Sequence, residues 1–435
     1  MNQARLEQIV GEWLTERSFP PLTRRETEPV DLDALPSILA VVGPRRAGKT
    51  FFLYQLMADL LERGKAERRD VLFVDFEDYR LEGFAAGDID SLLTVFQQLA
   101  GRRPKFLVFD EVQHLPSWGR VLRTLHNRRC FRIAVSGSNS SLLADEIAST
   151  LRGRYDDLFI LPFSFREFLR FKGIPFDRPL LRTPARGDVI AAFGEYLRHG
   201  GYPEVVARAS VQEKRKVLQN YYRTVVYRDI AERHNIRARH VLEHLMSAVV
   251  ASPADLFSIS AFAGHLKAAG LPGSKRTIAN YLEYTKESFF TIMNEKCSYS
   301  QRKRMMNPKK VYLTDWGFSA LGREFSENRG KLLENVVAVE LRRRRREMFY
   351  HKGWGECDFV LKSGTRLSEA IQVTWEIGPG NEARELRGIR EAMREHKIPR
   401  GLVLTGVDTE TRRIAAGKVT IMPVWRWLIE KDTRA

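Results

Sequence analysis

Residues 41–50 read Val-Val-Gly-Pro-Arg-Arg-Ala-Gly-Lys-Thr, and no other stretch limits the fold of this chain so tightly. The apolar run Ile38 to Val42 before it predicts a buried strand, and the helix-spaced run Phe51 to Leu61 after it predicts a helix. A G-x-x-x-x-G-K-T loop between strand and helix is a phosphate-binding arrangement. Gly43 and Gly48 let the loop fold so that main-chain N–H groups around Pro44, Arg45, Arg46 and Ala47 face phosphate oxygens. The helix starting at Lys49, Thr50 and Phe51 adds its positive dipole end. In this pattern Lys49 reaches the β and γ phosphates and Thr50 places its hydroxyl on Mg²⁺, so ATP and Mg²⁺ are the expected ligands.

A chain of 435 residues is too long for one core, and about 150 residues per domain suggests three. Lys and Arg outnumber Asp and Glu by 71 to 54. That balance favours a polyanionic partner, of which nucleic acid is the commonest. No apolar run approaches the roughly 18 residues needed to span a bilayer, so no membrane partner is expected. No charged-then-apolar leader opens the sequence. Cys130, Cys297 and Cys357 are scattered without metal-like spacing, so reduced thiols in a cytoplasmic protein are expected.

Leu6, Ile9, Val10, Trp13 and Leu14 stand at helical spacing and predict an amphipathic helix packed on the nucleotide domain. Val71 to Phe76 reads as a second strand, ending in Glu77-Asp78-Tyr79-Arg80. A third, Lys105 to Phe109, closes on Asp110 and Glu111, a pairing that suits hydrolysis. Asp110 would hold Mg²⁺ through water, and Glu111 would orient and activate the attacking water. A fourth strand, Phe131 to Val135, runs into Ser136-Gly137-Ser138-Asn139-Ser140. There Ser138 or Asn139 would touch the γ-phosphate or its water, or cap the next helix. Leu151-Arg152-Gly153-Arg154 precedes a fifth strand, Asp157 to Leu161. Arg152 and Arg154 are placed to reach a neighbouring subunit's γ-phosphate, or lie solvated on the surface.

This order of motifs, with Leu161 to Phe168, Gly200-Gly201-Tyr202-Pro203-Glu204, Tyr227-Arg228-Asp229-Ile230, Lys310 to Asp315 and Glu356 to Val360, resembles the AAA+ superfamily. More narrowly, it is similar to the bacterial and archaeal AAA ATPases with a DUF4143 C-terminal region. The resemblance implies an oligomeric ATPase, a hexameric ring, with sites at subunit interfaces. The expected domains are the P-loop core at 1–165, a helical lid at 166–235, a module at 236–322 and a last module at 323–435.

In the third segment, Ala261 to Ala269, a turn at Gly270-Leu271-Pro272-Gly273 and a helix Lys275 to Lys286 capped by Ser274 give a helix-turn-helix. Phe289 to Lys296 and Lys310 to Leu313 read as two strands around the basic loop Gln301 to Arg304, completing a winged helix. Between Ile259 and Val311, ten Lys/Arg face three Glu. Lys275, Arg276 and Thr277 would open the recognition helix, with Asn280 and Tyr281 a turn later. Arg302, Lys303, Arg304, Lys309 and Lys310 would contact DNA phosphates. A protein-binding spacer with a solvated loop is the alternative.

Residues 331–341 predict a helix carrying Glu334, followed by the five-arginine run Arg342 to Arg346 and strands around Glu347 to His351, Glu356 to Leu361 and Glu369 to Trp375. With a helix from Asn381 to Glu395 and a strand Gly401 to Thr405, this order resembles the PD-(D/E)XK nucleases. The resemblance matches Glu334 and Asp358 to metal-binding acids, but Gln372 replaces an acid and Thr374 the lysine. Neither serves a hard cation or a pentavalent phosphate well. Lys352 or Lys362 would have to substitute from a nearby strand, so an inactive, DNA-holding nuclease fold is expected, the arginine run being either part of the grip or an ordinary solvated helix end.

The fold class expected is α/β: an AAA+ core with lid, a winged helix and a small restriction-endonuclease-like α/β domain. The expected function is an ATP-hydrolysing oligomer that remodels or translocates duplex or branched DNA. The alternatives are a slow ATP-gated regulator or defence/toxin–antitoxin switch, and an ATP-dependent endonuclease.

Overall fold

A computed structural model of the chain describes residues 2–16, 18–138, 153–177, 184–322, 328–378, 380–407, 411–414 and 418–430. They divide into two compact units, Met1–Leu161 and Pro162–Ala435.

The first unit is a parallel sheet between helices. Helix α1 (Gln3–Thr15) precedes β1 (Ile38–Val42), α2 (Lys49–Glu62), β2 (Val71–Asp75), α3 (Asp88–Ala100), β3 (Phe106–Asp110), α4 (Trp118–Asn127), β4 (Arg132–Gly137) and β5 (Tyr155–Phe159). The strand order is β2-β3-β4-β1-β5, all parallel. β1 and β3 are buried along their whole length, as continuous apolar strands covered on both faces must be. Helix α1 docks as expected. Trp13 packs on Phe73, donates its indole N–H to the Val71 carbonyl and carries the Arg68 guanidinium 4.3 Å above its ring.

The second unit begins with helices α5 (Phe165–Phe171), α6 (Ala185–His199), α7 (Pro203–Ala207) and α8 (Val211–Thr224), a π-helical stretch at Val225–Glu232, and α9 (Arg239–Ala251). Then come β6 (Asp255–Phe257), α10 (Ile259–Ala268), α11 (Lys275–Glu287), β7 (Thr291–Lys296), α12 (Gln301–Met306) and β8 (Lys309–Leu313). The chain ends with α13 (Arg329–Arg343), β9 (Glu347–Lys352), β10 (Glu356–Ser363), β11 (Arg366–Thr374), α14 (Glu382–Glu395), β12 (Gly401–Thr405), β13 (Arg412–Ile414), β14 (Val419–Pro423) and α15 (Val424–Ile429).

One sheet of nine strands, ordered β13-β14-β12-β11-β10-β9-β7-β8-β6, runs through this unit. Its middle joint is parallel, with Glu295 opposite Phe349 and Lys296 opposite Tyr350. The segments read from sequence as separate third and fourth domains therefore share a backbone ladder. The Gly200-Gly201-Tyr202 and Leu313-Thr314-Asp315 motifs meet here. The buried Asp315 carboxylate accepts the Gly201 and Gly317 N–H groups, and a Cβ on Gly200 would stand 1.8 Å from that carboxylate.

The arginine run has a packing role that sequence reasoning did not assign. Arg343 donates to the Pro162 carbonyl, and Arg344 lies 4.2 Å over Trp427 while pairing with Glu340. Both side chains are 13% exposed, which removes these two from any grip on a partner.

Candidate functional site: a phosphate-binding loop and a buried ammonium

β1 ends at Val42 and the chain turns at Gly43, with φ at 151°. Its hydrogen faces the Ile160 carbonyl, where a Cβ would sit 2.0 Å from that oxygen, so only glycine lets the loop leave the sheet this close to the end of β5. Gly48 then takes a left-handed conformation and α2 starts with no side chain capping it, which keeps its first N–H groups available to an anion. The Lys49 side chain is 3% exposed and lies between the Pro44 carbonyl, 3.2 Å away, and Glu111, 3.5 Å away.

Two residues that sequence reasoning did not single out hold this loop. Arg25 is buried, donating to the Ala47 carbonyl at 2.7 Å and to the Leu161 carbonyl, so it braces the loop against the strand beside it. Ser136, inside β4, hydrogen-bonds the Asp110 carboxylate and accepts the Glu111 N–H at 3.0 Å. Ser138 lies beyond the strand in a bend and takes no part in these bonds. Asn139 and Arg152 lie outside the described residues.

Asp110 is almost fully buried, and burial pushes its pKa up to about 6 against the hydrogen bonds of Ser136 and Thr50. Glu111 sits in a left-handed backbone conformation. Burial raises its pKa, but the Lys49 charge and the Gln113 hydrogen bond outweigh that and hold it below the usual carboxylate range. It is therefore ionised at neutral pH, as a group that polarises water must be. Arg45 reaches out to Glu77 at 3.1 Å. The His114 hydrogen bond, with Arg45, holds Glu77 down at about 2. The loop, both acids and Ser136 thus converge at the carboxyl ends of the strands, where open α/β sheets bind ligands. The donor set fits Mg²⁺: the Thr50 hydroxyl and Asp110 carboxylate are hard oxygens in contact, and the buried carboxylate lacks a full counter-charge. Bound there, the ion would neutralise phosphate charge.

Arg154 lies at the other end of the sheet. Its carbonyl accepts the Ile38 N–H at the start of β1, and its guanidinium bonds Asn127 at 2.6 Å. Five strand residues, roughly 17 Å, separate it from the phosphate loop of the same chain.

In the second unit, Lys275, Arg276 and Asn280 are exposed on the first turns of α11, whose N-cap Ser274 accepts the Thr277 N–H at 3.0 Å. Tyr281 is buried instead and belongs to the core. Arg302 and Lys303 are exposed, on the short helix α12 rather than on an open loop, and Arg304 is half-buried against Phe349. Lys309 pairs with Glu295 at 3.1 Å.

Lys310 corrects the sequence reading outright. It is 0% exposed and points inward, so it makes no DNA contact. Its ammonium touches Glu334 at 2.8 Å, Asp358 at 2.8 Å and Glu356 at 2.7 Å. Burial opposes its charge, but Asp358 and Glu334 keep it protonated. Tyr312 donates to Glu334 at 2.9 Å, and Lys331 pairs with the same carboxylate. Gln372 donates to Glu385, and Thr374 turns to the Glu376 carbonyl. The candidate substitutes stay outside this cluster: Lys362 pairs with Glu347 across the hairpin, and Lys352 comes no closer than 4.0 Å to Glu356. A cleft of about 750 Å³ opens beside these acids, lined also by Trp354, Trp375, Arg384 and Arg387.

Fold and site together define a P-loop ATPase of the AAA class, and residues 36–169 match the family described as an AAA domain. Residues 190–327 match a domain of unknown function, DUF8612, a different one from the DUF4143 type expected. The chain belongs to the same family as the uncharacterized protein MJ1544 of Methanocaldococcus jannaschii, to which it is 32% identical over 412 residues, 92% of this chain and 90% of the relative. An uncharacterized Haemophilus influenzae protein is 27% identical over 90% of this chain and 94% of its own length. Among solved structures, the Walker-type ATPase paby2304 of Pyrococcus abyssi covers 71% of this chain and 99% of that one at 16% identity and a TM-score of 0.44. The Aeropyrum pernix ORC1 protein, solved in complex with DNA, covers 78% and 93% at 13% identity and a TM-score of 0.27. Among the described residues no helix is long and apolar enough to cross a membrane.

Proposed function

We propose that the chain hydrolyses ATP as an oligomer and uses its second unit to bind and remodel DNA, duplex or branched. The observation that carries the reading is the buried pair of Lys49 and Glu111 beside Asp110, Thr50 and Ser136. Lys49 holds phosphate charge, Thr50 and Asp110 seat the cation, and Glu111 takes up and orients the water. Arg154, too far from its own loop, serves a neighbour's site in trans, with Arg152 as its companion. Mixing Arg154→Ala with Lys49→Ala subunits should then restore part of the turnover each lacks, measured by phosphate release. No recovery across mixing ratios would refute the shared site.

The DNA reading rests on residues 239–313, whose order of helix, strand, two helices and two strands joined through the short α12 supports a winged helix. The second helix, α11, presents Lys275, Arg276, Thr277 and Asn280 at its exposed start, and α12 adds Arg302 and Lys303. Changing Lys275 and Arg276 together to alanine should weaken DNA binding and flatten the log–log salt dependence by roughly two phosphate contacts. An unchanged slope in fluorescence anisotropy would place DNA elsewhere.

In the last module, the Lys310 ammonium stands among Glu334, Glu356 and Asp358, where a divalent ion would otherwise be sought. That arrangement supports a nuclease-like fold that holds DNA without cutting it. The same lysine favours a second reading, an ATP-dependent endonuclease in which β8 supplies the ammonium that Thr374 lacks. Supercoiled plasmid incubated with ATP and Mn²⁺ decides between them: nicking by the wild type but not by Asp358→Ala selects the endonuclease, and no nicking selects holding.

A further inference from the structure

Within the second unit, β9 and the end of α14 bring two histidines and two glutamates together. His351 and His396 have side chains only 3% and 5% exposed. His351 Nδ1 and His396 Nε2 lie 3.0 Å apart, with the rings edge to face at 84°. The other nitrogen of each ring, His351 Nε2 and His396 Nδ1, is buried without a hydrogen-bond partner. Buried imidazole nitrogens are ordinarily satisfied, so this pair calls for an occupant.

The carboxylates stand at a telling distance. Glu391 Oε1 is 3.8 Å and Glu395 Oε2 is 4.0 Å from His351 Nε2, while Glu395 Oε1 is 4.0 Å from His396 Nε2. These gaps are too long for hydrogen bonds. Two donors bonded at about 2.0–2.2 Å to one tetrahedral ion stand roughly 3.3–3.6 Å apart, so small side-chain shifts would bring these groups to a common zinc. Among the described residues, His351, Glu395 and His396 are the one group of three His, Cys, Asp or Glu side chains whose donor atoms gather this closely. The site has the supports of a metal centre as well. Glu391 is fixed by the Trp354 and Gly355 N–H groups at 3.0 and 2.7 Å, which holds its carboxylate toward His351. Glu395 is 58% exposed, which leaves a path from solvent.

We propose that His351, His396 and Glu395, with Glu391 behind them, bind a late first-row divalent ion of the zinc type and thereby clamp β9 to the end of α14. Imidazole with carboxylate suits Zn²⁺ over Mg²⁺, which prefers oxygen donors and retains its water. The site lies within the second unit and is independent of nucleotide binding.

The test is titration of the chelator-stripped, full-length protein with Co²⁺ and Zn²⁺. The expected result is one saturable equivalent of Co²⁺ with visible absorption bands, displaced by Zn²⁺, in the wild type and in Lys49→Ala alike. His396→Gln should lose that binding, and Glu395→Gln, an exposed substitution that leaves the core intact, should weaken it about tenfold or more. Zn²⁺ should also raise the unfolding temperature of the wild type and not of His396→Gln. Absence of saturable binding, or equal binding by wild type and both variants, overturns the proposal.

Discussion

Lys49→Ala will lose nucleotide binding, and Glu111→Gln will bind ATP while losing hydrolysis by about a hundredfold or more. The two outcomes differ because the side chains do different work. Lys49 is almost fully buried at the base of the loop, facing the Pro44 carbonyl and Glu111, so its charge is committed to this spot before any ligand arrives. Removing it takes away the cation for the phosphates and leaves Glu111 buried without its main counter-charge, so the Glu111 pKa will rise. Glu111→Gln keeps the shape and the Gln113 contact but cannot accept a proton from water. Binding is read with a fluorescent ATP analogue and turnover by phosphate release. Wild-type turnover in either variant would reject the roles assigned to this pair.

Lys310→Met will destabilise the second unit by about 3–5 kcal/mol near neutral pH, since it strands buried carboxylates that now share one ammonium. The loss will shrink as pH falls. Burial and the nearby Asp358 charge already raise the Glu334 pKa, and without Lys310 it rises further. An acid whose folded pKa exceeds its unfolded value binds more protons when folded, so the variant is most stable below the ordinary carboxylate pKa of about 4.3 and weakens as pH climbs above it. Urea unfolding of wild type and variant across pH 4 to 8 measures the difference. A variant that loses the same stability at every pH would mean that lost packing, not stranded charge, sets the cost. Lys310→Met with Glu334→Gln should recover part of the loss, because the double change removes one of the orphaned charges along with its partner.

The phosphate loop was legible because its chemistry is local. Gly43, Gly48, Lys49 and Thr50 lie within eight residues, and a strand before and a helix after them suffice to aim them. Asp110 and Glu111 were legible for the same reason, as polar residues closing an apolar strand. The fourth strand shows where this reading ends. Which serine reaches Asp110 depends on register: Phe109 pairs with Val135, which sets Ser136 level with Asp110, whereas Ser138 falls past the end of β4. Arg25 left no signal, because one arginine of the Arg24-Arg25 pair before the first strand resembles any surface charge until the loop folds back over it.

The sequence by itself determined the ATPase class, the loop, the acid pair and the helical start of α11, all of them set by spacing within a few turns or strand residues. Only the tertiary structure decided what Lys310, Arg343, Arg344, His351 and His396 do. Lys310 reads as one more basic residue in a charged stretch, yet β7 pairs with both β8 and β9 and so carries it next to acids 24 and 48 positions away. Ladder pairing between distant strands fixes which charges are buried together. Burial then turns an ordinary lysine into the counter-ion of three carboxylates.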